Sequence, residues 1–171
     1  IWRIGDLGRT SRDGRFMDPG GLALDSHGNI YVIDRYDSYI QKFDSDGNFL
    51  LKWSGRGSGD GKSYSPQDLA VDRSGNVYVA DRDNDRIQKF DSDGNFLLKW
   101  GTQGSNDGEF FQTLSIAVDS TGNVWVADPA LRRVQKFDPE GNFLLKLGTP
   151  IGGWTPVGLA IDGSGNVYVL D

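Results

Sequence analysis

The residues of this 171-residue chain that could do chemistry are one histidine, a recurring set of aspartates and a smaller set of arginines; cysteine is absent. The histidine, His27, lies inside Asp25-Ser26-His27-Gly28-Asn29, where three related runs carry Arg73-Ser74, Ser120-Thr121 and Gly163-Ser164. A zinc centre takes three or four protein ligands, so a lone imidazole in a glycine turn reads as an exposed turn residue and not as a metal site. Asp44-x-Asp46-Gly47-Asn48 and Asp91-x-Asp93-Gly94-Asn95 look like the opening of a calcium loop, with oxygen ligands on alternate residues before a glycine. The bidentate glutamate that such a loop needs is missing, because Phe-Leu-Leu follows at once, and both runs are read as hairpin turns.

Two further sets recur. Asp34, Asp81 and Asp128 close equivalent stretches, as Asp171 closes the last. Their carboxylates are expected to accept backbone N–H bonds from the following turn, or to ring the mouth of a channel as rim carboxylates that favour a cation or a basic partner. Arg35, Arg82, Arg86, Arg132 and Arg133 follow directly in the loops, where most are expected to be solvated or paired with Asp37, Asp83 and Asp85. Arg132-Arg133 is the least compensated basic spot and suits a carboxylate or phosphate. Among the aromatics, Trp53, Trp100 and Trp125 sit at repeat positions and read as packing residues, whereas Tyr64, Phe111 and Trp154 fall in non-repeating loops and are the better candidates for touching a ligand.

What positions these groups is a repeat. Gly75-Asn76-Val77-Tyr78-Val79-Ala80-Asp81 returns nearly unchanged at 28–34, 122–128 and 165–171, and the aspartates Asp25, Asp72, Asp119 and Asp162 are spaced by 47, 47 and 43 residues. Each unit holds four short apolar stretches, in the second Asp68–Val71, Asn76–Ala80, Arg86–Phe90 and Asn95–Trp100. They are too short, and too rich in β-branched and aromatic residues, for helices. Phe96, Leu98 and Trp100 alternate with Leu97 and Lys99 as a strand requires. Ile87-Gln88-Lys89-Phe90 does not alternate cleanly and is expected to be bulged or half-exposed, with too few apolar residues for burial on both faces. The runs Asp-x-x-Gly-Asn and Asp-x-Asp-Gly-Asn place Gly and Asn where tight hairpins need positive φ. Four antiparallel strands repeating at this period predict an all-β chain, a β-propeller of about four blades with the last incomplete.

With this period in hand, the unit resembles the NHL repeat, whose pattern is Pro-x-Gly-[Ile/Leu]-Ala-[Val/Ile]-Asp, then Gly-Asn-[Ile/Val]-Tyr-Val-Ala-Asp, then Asn-x-Arg-[Ile/Val]-Gln-x-Phe. The matching pieces are 19–25, 66–72 and 156–162, the Tyr-Val-Ala-Asp strands, and Asn84-Asp85-Arg86-Ile87-Gln88-Lys89-Phe90. The name-giving histidine position is taken by Asp85, Ser38 and Arg132, and the third unit has Gln112-Thr113 in place of the proline. The resemblance implies four-stranded blades and, among relatives, protein binding, RNA binding, extracellular sensing in bacterial kinases, or in one case zinc-dependent amidating lyase activity. That lyase uses several histidines, so this chain is expected to be non-enzymatic, without cofactor or metal.

The expected layout is one unit over residues 1–171: an opening outer strand at 1–5, repeats at about 19–54, 66–101 and 113–148, and a partial repeat at 156–171. Ile1-Trp2-Arg3-Ile4-Gly5 matches Leu97-Leu98-Lys99-Trp100-Gly101, so the chain opens on a fourth strand. Family propellers usually have six blades, so a natural or engineered fragment is expected, with self-association through unpaired blade edges. The formal charge of −6 makes nucleic acid an unlikely partner. No membrane-spanning or secretory stretch is present, and the compartment stays open between cytoplasmic and extracellular. Tight turns occupy one face, while the long, dissimilar loops at 6–18, 56–65, 102–112 and 149–155 share the other. One uniform and one variable face predict a recognition scaffold that binds a protein or peptide through the loops. The alternatives are an RNA-binding NHL domain and a structural or engineered repeat with no ligand.

Overall fold

The computed structural model describes residues 6–7, 13–148 and 153–171. A short parallel ribbon, β1 (Asp6–Leu7) with β2 (Arg15–Phe16), precedes the first sheet. Blade 1 comprises β3 (Pro19–Leu24), β4 (Ile30–Asp34), β5 (Tyr39–Phe43) and β6 (Phe49–Ser54). Blade 2 comprises β7 (Pro66–Val71), β8 (Val77–Asp81), β9 (Arg86–Phe90) and β10 (Phe96–Trp100). Blade 3 comprises β11 (Ser115–Val118), β12 (Val124–Asp128), β13 (Arg133–Phe137) and β14 (Phe143–Leu147), and β15 (Gly158–Ile161) with β16 (Val167–Leu170) forms a two-stranded blade 4. Every blade is an antiparallel meander in chain order. The expected opening strand at 1–5, and its pairing with the last blade, lie outside the described residues.

Chemistry local to each turn closes the hairpins. In Asp72–Asn76 the Gly75 N–H donates to the Asp72 carbonyl, and Asp72 Oδ1 accepts from the backbone of Ser74 and Asn76 while Oδ2 accepts the Asn76 amide. The same pattern recurs at Asp25, Asp44, Asp91, Asp119, Asp138 and Asp162. Only the glycines have positive φ; the asparagines do not, so their role is the amide bond back to aspartate and not a left-handed backbone. These donors hold most of the carboxyls below the ordinary range. The Asn166 amide, then its backbone N–H, draws Asp162 down to about 2.

Each blade has a forward face, toward the next blade, and a rear face, toward the previous one. Tyr31, Ile33 and Ile40 on the forward face of blade 1 bury against Leu69, Val77, Val79 and Phe90 on the rear of blade 2. Tyr78, Ala80 and Ile87 bury likewise against Ile116, Val124, Val126 and Phe137 of blade 3. Each such large side chain contributes about 1.5–3 kcal/mol by leaving water. Trp53 and Trp100 lie over the β9–β10 and β13–β14 hairpins of the next blade. A Cβ at Gly94 or Gly141 would stand 2.8 Å from the indole, so the glycine serves both the positive φ and the seat of the ring.

The third strand departs from expectation. The bulge expected in it falls on the neighbouring strand instead: Phe96 and Leu98 of β10 face Phe90 and Lys89 with Leu97 as the extra residue, as Leu50 and Leu144 are in blades 1 and 3, while β9 itself runs without one. The strand is nonetheless buried on both faces, because Gln41, Gln88 and Gln135 are completely enclosed. Their amides are satisfied inside the protein, which removes the cost that a buried polar group would otherwise carry.

Candidate recognition face

The loops leading into blades 2 and 3 differ in side chain but share backbone hydrogen bonds: Gly57 and Gly104 donate to the carbonyls of Ser63 and Phe110, and Ser63 and Phe110 donate to those of Gly55 and Thr102. Parallel bridges Arg56↔Ser63 and Gln103↔Phe110 stand 47 residues apart, and β1 pairs with β2 in the same parallel sense before blade 1. Each loop is held from beneath by a buried glutamine: Gly14, Gly61 and Gly108 donate their N–H to the Oε1 of Gln41, Gln88 and Gln135 at 2.8, 3.0 and 2.9 Å. The same amides donate to the carbonyls of Arg15, Lys62 and Glu109. At the loop tips Lys52 pairs with Asp13, Lys99 with Asp60 and Lys146 with Asp107. The plug beneath the loop differs: Phe16 and Phe110 are buried in two of them, and Ser63 bonded to Ser54 takes the place in the third.

The aspartates expected at the channel rim are instead fully buried under these loops. Asp34 accepts from the N–H of Met17, Asp18 and Tyr36, Asp81 from Tyr64, and Asp128 from Phe111 and Leu131. Loop backbone therefore covers them, and a rim of like charges does not form. Burial pushes the Asp81 and Asp128 carboxyls up, against the pull of these donors. The half-buried carboxylate on an innermost strand is Asp68, which the sequence reading passed over. Its Oδ2 accepts from Ser115 Oγ at 2.8 Å and Ile116 N at 3.1 Å, and Ser115 Oγ in turn accepts from Leu159 N, linking blades 2, 3 and 4.

The arginines divide. Arg86 and Arg133, expected in solvated loops, are the first residues of β9 and β13 and are buried. Asp85 and Arg132, just before them, adopt left-handed backbone at φ 49° and 53°, and the chain then enters the strand with the arginine already turned inward. Arg86 Nε donates to Asp81 Oδ2 at 2.8 Å, and its two terminal nitrogens reach the carbonyls of Ser58, Gly59 and Lys62. Arg133 holds the carbonyls of Ser105 and Glu109. Arg35 forms a two-point pair with Asp18, and Arg82 bridges to Gln112 at 3.1 Å. Arg132 is exposed.

Of the expected contact aromatics, Tyr64 and Phe111 are exposed at equivalent loop positions, each with its backbone N–H fixed to a buried aspartate. The Arg56 guanidinium stands 5.3 Å over the Tyr64 ring. Trp154 is not an exposed loop ring; it packs, partly buried, on Trp125, Ala127 and Val134 of blade 3. Residues 149–152 of its loop lie outside the described residues. On the opposite face, hollows of about 190 and 250 Å³ open between the turns at Asp72, Arg73, Asp119 and Ser120. Both are smaller than the roughly 300 Å³ at which small-molecule pockets begin. No helix among the described residues is long and apolar enough to cross a membrane.

A model of the NHL repeat matches residues 16–43 and 64–90. Protein lin-41 of Caenorhabditis elegans is 43% identical over 42 residues, 25% of this chain and 4% of that protein. Among solved structures, selenomethionine-substituted virginiamycin B lyase from Staphylococcus aureus matches with a TM-score of 0.71 at 12% identity, over 93% of this chain and 50% of the other. A chain of the nidogen/laminin complex matches at 0.68 and 21% identity, over 90% and 56%. This chain thus spans about half the length of these structures, and the likeness is one of fold. The NHL-repeat model thus matches in two successive blades, residues 16–43 in blade 1 with the segment leading into it and 64–90 in blade 2.

Proposed function

We propose that this chain is a non-enzymatic recognition scaffold, binding a protein or peptide on the face formed by the interblade loops. The observation that carries the reading is the presentation of Tyr64 and Phe111: exposed aromatic rings, one per loop, on a backbone that buried Asp81, Gln88, Asp128 and Gln135 hold rigid. Rigid aromatic side chains give large contact area at low entropic cost, and arginines add directional donors. Arg35, Arg82 and Arg132 flank the rings on the same face, whereas Arg86, Arg133 and Trp154 support the loops from below. Coupling of one propeller-like chain to another protein, as the nidogen/laminin complex is named, accords with this reading. The virginiamycin B lyases share the fold at an identity too low to carry their chemistry across, and the only histidine here, His27, stands in a turn on the opposite face.

The test is selection of peptides from a displayed library on the immobilised chain. Selected peptides are expected to lose about ten-fold or more in affinity on Tyr64→Ala or Phe111→Ala, and to be unaffected by Ser74→Ala and Thr121→Ala on the turn face. The reverse pattern overturns the assignment of the face. An RNA pool that binds with steep salt dependence, lost on Arg132→Glu, would replace a protein ligand with RNA.

A further inference from the structure

Given the recognition role assigned above to the loop face, we propose that its ligand is an acidic peptide whose carboxylate is taken by Arg82, between the Tyr64 and Phe111 rings, with Arg56 as a second guanidinium. The template for this contact lies inside the molecule. Blade 1 has an arginine at the same place in the repeat, Arg35, and its Nε and one terminal nitrogen grip Asp18 at 3.1 and 2.7 Å. In blade 2, Arg82 stands 47 residues after Arg35, and Ser65 stands 47 residues after Asp18. Arg82 is thus without the carboxylate that closes Arg35. It donates to the neutral Gln112 Oε1 at 3.1 Å, and its Nε stands 3.9 Å from Asp83, beyond hydrogen-bonding reach. Blade 3 has Pro129 at this position, so among the three full blades the open arginine belongs to blade 2.

Backbone ties place the two ring-bearing segments beside Arg82. Tyr64 gives its N–H to Asp81 and accepts the Asp83 N–H on its carbonyl at 3.1 Å, so it is fastened to both residues that flank Arg82 in the chain. Phe111 gives its N–H to Asp128 of blade 3, and Gln112 gives its own to Asp85 of blade 2 at 2.9 Å, which pins this pair across the crevice between the blades. Arg56 lies over the Tyr64 ring and has no hydrogen bond or ion pair among the described residues. Stacking on an aromatic face leaves the in-plane N–H groups of a guanidinium open to an acceptor, and a carboxylate accepts two such groups at once. The lysines at the loop tips are different, because Asp13, Asp60 and Asp107 already neutralise them. Charge favours a peptide over a nucleic acid. Exposed charges more than about 8 Å apart are screened at physiological salt, so a single carboxylate responds to Arg56 and Arg82 and not to the net charge of −6. A phosphate backbone crossing the face would run past the half-exposed Asp18 and Asp83 as well.

Fluorescence anisotropy of peptides selected on the immobilised 171-residue chain tests this. The selected peptides are expected to carry a carboxylate beside an apolar residue. Replacing the acidic residue of such a peptide by its amide, or amidating its C-terminus, is expected to weaken binding about ten-fold or more, and whichever change does so tells a side-chain carboxylate from a terminal one. Arg82→Gln is expected to weaken the acidic peptide by a like factor while leaving its neutralised form unchanged, and Arg56→Gln to weaken it less. Unaltered thermal unfolding shows both variants to be folded. Selected peptides that lack a carboxylate yet lose binding on Tyr64→Ala and Phe111→Ala overturn the inference and leave the recognition face standing. Acidic peptides indifferent to both arginine substitutions overturn it too. A chain that selects no peptide at all overturns both readings. A selected RNA that loses binding on Arg82→Gln would assign the guanidinium to phosphate and overturn the carboxylate.

Discussion

Blades 2 and 3 carry the same loop anchor with one residue changed. In blade 2, Asp81 gathers Tyr64 N–H, the Asn84 amide at 2.8 Å, Arg86 Nε at 2.8 Å and Gln88 at 3.1 Å, and Asn84 also reaches the Gly57 carbonyl at 3.1 Å. In blade 3, Leu131 stands where Asn84 does, Arg133 Nε lies 4.0 Å from Asp128, and that nitrogen has no hydrogen-bond partner among the described residues. Blade 1 goes further, with Tyr39 at the arginine position and Lys52 4.8 Å over its ring. Gln41, Gln88 and Gln135 nevertheless bind the segment before each blade alike, and Asp34, Asp81 and Asp128 all accept N–H groups from it, so the glutamine and the aspartate are the shared part of the anchor. The arginine and asparagine add strength, not shape.

The largest way to break this contrast is Asp81→Ala, which leaves Arg86 buried without its carboxylate and is expected to cost about 3–5 kcal/mol. Asp128→Ala, which removes two backbone hydrogen bonds and no direct arginine bond, is expected to cost about 1–3 kcal/mol. Urea denaturation of both variants measures the gap, and equal losses would erase the distinction between the blades.

A smaller effect sharpens it from the other side. Leu131→Asn installs the missing donor and is expected to stabilise by about 0.5–1.5 kcal/mol, read as a rise in Tm. Burial holds the Asp128 carboxyl above its ordinary value of 3.8, and a donor to the charged form lowers it relative to the parent. The gain should therefore be complete at pH 7 and shrink as the pH falls through the folded-state pKa of Asp128, where the carboxylate is lost. A gain that persists in acid would mean that the asparagine acts on the Gly104 loop and not on Asp128.

The smallest expected change is at the loop tips. Tyr64→Ala and Phe111→Ala should alter stability by no more than about 0.5 kcal/mol, because neither exposed ring is part of an apolar core cluster. A loss of several times that in thermal unfolding would make them packing residues and weaken the recognition reading.

The strands and turns were legible in the sequence because each is decided within a few residues: Asp-x-x-Gly-Asn is a complete hydrogen-bonding unit, and Val77-Tyr78-Val79-Ala80 is apolar on both faces. The loop anchors were not, because their partners stand 17–28 residues apart, from Tyr64 with Asp81 to Arg86 with Ser58. Gln41, Gln88 and Gln135 recur at intervals of 47 and were visible as letters. They were read as a lapse in alternation, whereas a polar amide repeated at the centre of an apolar strand is the mark of a loop fastened from below. Arg86 and Arg133 were misplaced for a related reason. The left-handed residue that turns each inward is Asp85 in one case and Arg132 in the other, with no glycine to announce it.

The enclosure of blade 2 on both sides has a consequence for how the array comes apart. Where each sheet touches only its neighbours, the free energy is shared out along the row, and sheets with two dry flanks, as blades 2 and 3 have, open later than a sheet with one. Lys42, reaching from blade 1 to the Ser92 carbonyl, and Lys89, reaching from blade 2 to that of Pro139, add a tether across each of the two flanks. β8, with every residue from Val77 to Asp81 buried between these two flanks, is thus held on both sides by apolar packing and by a lysine bond to a neighbouring turn.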